Sequence, residues 1–149
     1  MHGFNKIILS NPGLDITSNQ PAILVALVRL LAPILPKIKT TKLSSEYISR
    51  DPNERKKYDT DPLNYRKGAR PGFANEFDKA TKWLMKNAGD INQAIYLNYS
   101  SSDKVVVPES TVEFFELISS KDKSKTNYEG LYHELLNEPE KEEVMKNIL

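Results

Sequence analysis

Cysteine is absent from the 149 residues, which excludes disulfide frameworks, cysteine nucleophiles and cysteine-based zinc sites. Histidine is scarce, with only His2 and His133 present, so imidazole chemistry has two places to reside. Long apolar runs are missing too. The longest, Pro21 to Leu35, is interrupted by Arg29 and Pro33 and falls short of the ~20 residues a membrane span requires. The first residues lack the cationic stretch and cleavable apolar run of a secretory signal. Net charge is only +1, which leaves no global electrostatic argument for a nucleic-acid partner. No internal repeat or low-complexity tract is present. The expectation is a cytoplasmic protein, or one associated peripherally with a membrane.

What is present is the composition of a soluble globular chain, 39% apolar and 28% charged, long enough for one ordinary domain. The charge is unevenly spread. Arg29 to Arg70 carries eleven Lys/Arg against five Asp/Glu, and Ser101 to Leu149 six against eleven. Such asymmetry can draw anionic head groups to one face, through Lys37, Lys39 and Lys42 for example. A solvated, lopsided surface is the simpler reading.

Along the chain, Lys6 to Leu9 reads as a buried strand closed by the turn residues Ser10-Asn11-Pro12-Gly13. A continuous apolar run of this kind suits a central parallel strand. Such a strand needs neighbours, and nothing upstream supplies one, so an N-terminal half is expected to be missing. Pro21 to Leu35 reads as a helix that is apolar around nearly its whole circumference. It should therefore be buried in a core, or face lipid or a ligand. Lys37 to Arg70 is basic and rich in Asp-Pro, as short helices joined by turns would be. From Ala74 onward the pattern is helix (Ala74 to Asn87), strand (Ala94 to Leu97), helix (Val112 to Ile118), a weak strand (Lys125 to Tyr128) and a helix (Pro139 to Leu149). That alternation predicts a parallel α/β layer.

Asp103 and His133 follow the second and third strand candidates, where parallel α/β folds place reactive groups. In a parallel sheet the two loops are neighbours. A carboxylate on one imidazole nitrogen sets the tautomer and leaves the other nitrogen as a base. The bland alternative is a capping aspartate and a hydrogen-bonded, partly buried histidine. His2, at a terminus, reads as ordinary surface. His133-Glu134-Leu135-Leu136-Asn137 is not the zinc motif HExxH, because Asn137 stands where the second imidazole must be. Ser100-Ser101-Ser102 is not a nucleophile elbow, because the flanking glycines of GxSxG are missing. It reads as a polar loop that positions Asp103. No metal or cofactor is expected.

These segments resemble a known family. SSSDKVVVPES (Ser100 to Ser110) resembles the acid loop, and NYEGLYHELLNEPEKEEV (Asn127 to Val144) the histidine loop, of the α/β-hydrolases of the monoacylglycerol lipase and lysophospholipase (serine aminopeptidase-like) type. SRDP (Ser49 to Pro52) and DPL (Asp61 to Leu63) resemble elements of that family's cap, and IILSNPGLDI (Ile7 to Ile16) the strand leading into it. The resemblance implies an α/β fold: the C-terminal portion of an α/β-hydrolase, about three parallel strands with helices, plus a helical cap. Residues 1–16 would be a core strand leading into the cap, 17–73 the cap or lid, and 74–149 the lobe with the acid and histidine loops. It implies Asp103 as triad acid and His133 as general base in a serine ester hydrolase of monoacylglycerols or lysophospholipids. The helix from Pro21 would cover the acyl chain and make peripheral membrane contact. The nucleophile-bearing half would lie outside these residues and be needed as a partner, so the chain alone would be inactive. The alternative is a non-catalytic lipid-binding or interaction remnant of the fold. One departure is local: the family's glycine three residues before the acid is Ser100 here, expected to strain or reshape that turn.

Overall fold

The computed structural model describes residues 5–15, 18, 20–31, 34 and 42–149, and of Leu24 and Val28 the backbone alone. Three strands, β1 (Lys6–Ser10), β2 (Ala94–Tyr99) and β3 (Lys123–Asn127), form a parallel sheet in the order β1-β2-β3. Ile7 pairs with Ile95 and Leu9 with Leu97 across the first ladder, and Asn98 with Thr126 across the second. The expected α/β layer is therefore present. The third strand begins at Lys123, two residues before the sequence pattern placed it. Its polar KSKTN run is only half-buried, as one ladder's worth of pairing permits.

Alternation sets the two faces. Ile7, Leu9, Ile95 and Leu97 point to one side, into a core with Leu14, Ala88, Phe114, Phe115 and Ile118. That core is closed by α3 (Pro71–Lys86) and α4 (Pro108–Leu117). Both helices begin on a proline, which sits at the first turn without costing a hydrogen bond. Lys123 Nζ donates to the carbonyls of Phe115 and Ile118 at 2.8 Å each, satisfying orphan groups at the end of α4. A second cluster, Tyr128, Leu131, Leu135 and Val144, joins α5 (Lys141–Ile148) to the segment after β3. Burial pushes the Tyr128 hydroxyl up to about 12.

Between β1 and α3 lie α1 (Ala22–Leu31), a 3-10 turn at Ser45–Tyr47 and α2 (Pro52–Thr60). Lys37 and Lys39 lie outside the described residues, and Lys42 is exposed. Asp51 caps α2 through Asn53 N at 2.7 Å and Pro52 opens it, so the Asp-Pro pair is a helix start. Of the alternatives for α1, core burial does not hold for its described side chains at Ile23, 82% exposed, Leu27 and Leu30, which face outward. The helix leans on α3, with Arg29 Nη2 on Asp78 Oδ2 at 2.9 Å. Periodicity reports that α1 is apolar and does not report which of its faces meets α3. Among the described residues, no helix is long and apolar enough to cross a membrane.

Candidate active site

The loops after β2 and β3 emerge side by side at the same end of the sheet, because the strands are parallel neighbours. In the first loop, Asp103 Oδ1 accepts from the backbone N–H groups of Val105 at 2.7 Å and Val106 at 3.1 Å. These bonds fix the carboxylate plane and leave Oδ2 to face the second loop. There it lies 2.9 Å from His133 Nδ1. The Asp103 side chain is completely enclosed, whereas that of His133 retains 25% exposure. An ionised carboxylate only accepts, so Nδ1 carries the proton and Nε2 keeps the lone pair. The arrangement can therefore take a proton at Nε2 and stabilise the resulting imidazolium through Asp103.

The serine run stitches the two loops together. Ser100 Oγ donates to the Leu131 carbonyl and accepts from Ser102 N at 3.0 Å. Ser101 N donates to Asn127 Oδ1 at 2.9 Å, and Gly130 N to Ser102 Oγ at 3.0 Å. Gly130 has φ +85°, a turn conformation that suits glycine three residues before His133. The strain expected at Ser100 is not found. Asn11 is the one non-glycine residue with positive φ among those described, and the Ser100 hydroxyl joins the two loops.

Its sequence context marks Asn11 only as a turn residue, and the structure gives it more to do. At φ 39° and 3% exposure, its Oδ1 accepts from Ser100 N at 2.8 Å. Its Nδ2 donates to the carbonyls of Tyr132 at 3.1 Å and His133 at 2.7 Å. One side chain thus holds the end of β1, the acid loop and the backbone of His133. An asparagine ahead of proline signals a turn, but nothing in the sequence signals partners 89 and 121 residues away.

Glu134 Oε2 accepts from Asn137 Nδ2 at 2.6 Å, so the residue standing where a second zinc-binding imidazole would be is instead tied to the neighbouring glutamate. Lys104 Nζ lies over the Tyr132 ring, 3.9 Å from its centre, and on its hydroxyl at 2.5 Å, bracing the dyad's outer side. A concavity of about 550 Å³ lies away from the dyad, between α2 and the start of α3, lined by Tyr58, Tyr65, Arg66 and Phe73. His2 lies outside the described residues.

Known proteins share this arrangement of sequence and fold. The family model described as Serine aminopeptidase, S33 matches residues 2–140. A monoacylglycerol lipase of Mycolicibacterium smegmatis is 23% identical over 145 residues, 97% of this chain and 52% of that protein. The phospholipase YtpA of Bacillus subtilis is 28% identical over 143 residues, 94% of this chain and 54% of that protein. The crystal structure of the Paleococcus ferrophilus monoacylglycerol lipase superposes with a TM-score of 0.86 at 27% identity, covering 97% of this chain and 56% of the other. The chain spans about half the length of the curated relatives it matches. Because the family model runs across most of these residues, the chain belongs to the serine aminopeptidase, S33 family, alongside monoglyceride lipases, and carries the α/β-hydrolase fold over the half it spans.

Proposed function

We propose that these residues are the acid-and-histidine part of a serine ester hydrolase acting on monoacylglycerols or lysophospholipids, with the nucleophile supplied from outside them. The observation that carries the reading is the enclosed Asp103 carboxylate 2.9 Å from His133 Nδ1. On this reading, residues 1–16 lead from the core into the cap, 17–73 form the cap, and 74–149 form the lobe that holds acid and base. A serine hydroxyl attacks the ester carbonyl while His133 Nε2 takes its proton. The base then gives that proton to the departing glycerol oxygen, leaving an acyl-serine. Water attacks the acyl-serine, with its proton again passing through His133, and the fatty acid leaves. The outward apolar residues of α1, Ile23, Leu27 and Leu30, suit a cap that meets lipid at a membrane surface.

The test joins the chain to the N-terminal half of a family member and measures release of fatty acid from monoacylglycerol and lysophospholipid. Hydrolysis should appear, His133→Ala should abolish it, and Asp103→Asn should lower turnover about 10⁴-fold through loss of the correct tautomer. A chelator should leave it unchanged. Alone, the 149 residues should give no esterase activity and no labelling by a fluorophosphonate, since loss of a triad nucleophile costs on the order of a million-fold. Activity that survives His133→Ala would overturn the proposal. Vesicle binding without any restored hydrolysis would favour the non-catalytic lipid-binding alternative.

A further inference from the structure

The SRDP segment does more than start a cap helix. Its first residues lie against the histidine loop, although 88 positions separate the two. The Ile48 carbonyl accepts from Glu134 N at 2.9 Å. Ser49, completely buried, donates its Oγ to the Asn137 carbonyl at 2.7 Å and accepts from Asp51 N at 2.9 Å. Arg50 grips Glu138 twice, with its backbone N on Oε1 at 3.0 Å and Nε on Oε2 at 2.7 Å. Its Nη2 bonds Glu140 in addition. Glu138 Oε1 also accepts from Tyr132 N at 3.0 Å, and its side chain is completely enclosed.

The consequence for His133 lies in the backbone N–H groups of the residues on either side of it. The N–H of Tyr132 is held by Glu138, and that of Glu134 by the Ile48 carbonyl. Both anchors depend on the seating of residues 48–51. A carboxylate with no access to water keeps its charge and its place only where a countercharge is supplied. Arg50 is the cation in salt-bridge contact with Glu138. Glu140 and Glu138 beside it hold the Arg50 guanidinium above its ordinary range, so it stays charged wherever the fold survives.

We infer that Arg50 is a positioning residue that acts through Glu138 to hold His133 in register with Asp103, so that placement of the imidazole depends on the seating of the cap segment. That His133 is a base rests on the function proposed above; its dependence on Arg50 does not. A merely structural role would lower stability without changing the imidazole, and the two differ in a spectrum.

The experiment is proton–nitrogen NMR of the histidine side chains in the 149-residue chain, with His133 assigned by its loss in His133→Gln. The native chain should show one neutral tautomer, protonated at Nδ1, with a downfield proton that disappears in Asp103→Ala. In Arg50→Ala the downfield proton should be lost and the tautomers mixed. Arg50→Lys restores a charge but not the forked grip, and should give an intermediate spectrum. Ile118→Val, a destabilising control in the separate core between the sheet and α4, should leave the imidazole signals native. If Arg50→Ala does not fold, the lysine variant decides. A native His133 spectrum in Arg50→Lys, or in a folded Arg50→Ala, would overturn the inference, as would equal loss of the signal in Ile118→Val. In the joined hydrolase Arg50→Ala should lower kcat about 10- to 100-fold with KM nearly unchanged, as small misplacements of reacting groups do. Should the joined protein show no hydrolysis at all, the ester-hydrolase proposal fails while the NMR result still decides the role of Arg50.

Discussion

Replacing Asn11 with alanine removes the side chain that ties three segments together, and its cost can be worked from the structure. Ser100 N, in a fully buried residue, loses the acceptor it holds at 2.8 Å. An unsatisfied buried donor costs about 1–3 kcal/mol. Alanine must also keep the left-handed backbone of φ 39°, which adds about 1–2 kcal/mol for a residue with a Cβ and no local hydrogen bond. The sum is about 2–5 kcal/mol, and at 1.4 kcal/mol per factor of ten the Ser100 amide should exchange with solvent about 30-fold to several-thousand-fold faster. Hydrogen exchange at that amide, followed by NMR in the 149-residue chain, reads the change. Asn11→Gly loses the same bonds but not the conformational fit, so it should retain more protection than alanine. Asn11→Asp keeps an acceptor for Ser100 but sets a carboxylate against the carbonyl oxygens of Tyr132 and His133, and should disturb the histidine loop selectively. Exchange in Asn11→Ala within threefold of the native rate, or alanine outperforming glycine, would refute the reasoning.

Three further outcomes follow from the same packing. Ser100→Gly should destabilise the chain by about 1–3 kcal/mol, because the bonds to Leu131 and Ser102 are lost and glycine adds unfolded-state entropy; a rise in the urea midpoint would contradict this. Leu135→Ala opens a cavity in the cluster beneath the histidine loop and should cost about 2–5 kcal/mol in chemical denaturation; a cost below 1 kcal/mol would mean that the cluster collapses to refill it. Glu140 is held below its ordinary 4.5 by its bond to Arg50, so the stability it adds is present above that value and fades as pH falls through the lowered one. With Glu140 43% exposed, water screens the pair and the contribution stays under ~1 kcal/mol. Native chain and Glu140→Gln should therefore differ in thermal midpoint near neutrality and converge in acid, and a gap that widens in acid would count against the assignment.

The sheet was legible in the sequence, because Ile7 to Leu9 and Ala94 to Leu97 are continuous apolar runs closed by turn residues. The burial expected of β1 was not borne out in the described residues, where it stands at the sheet's edge with Ile8 44% exposed. The position of Asp103 and His133 was legible for a related reason: each follows a strand, and parallel neighbours bring their C-terminal ends together. The helices α3 and α4 were legible from their apolar spacing, but they begin at Pro71 and Pro108 rather than at Ala74 and Val112, because proline opens a first turn without needing an apolar partner. The exposure of α1 was not legible, since an apolar stripe records what a helix could bury and not what is present to cover it. Nor were the roles of Asn11, Ser100, Arg50 and Glu138. Each depends on partners 31 to 122 positions distant, and polar side chains carry no periodic pattern that announces such a partner. The strand order and the fit of one loop on another bring those groups within hydrogen-bond range. Tertiary structure therefore decided how the histidine is held, while the sequence determined that an acid and a histidine stand at the ends of neighbouring strands.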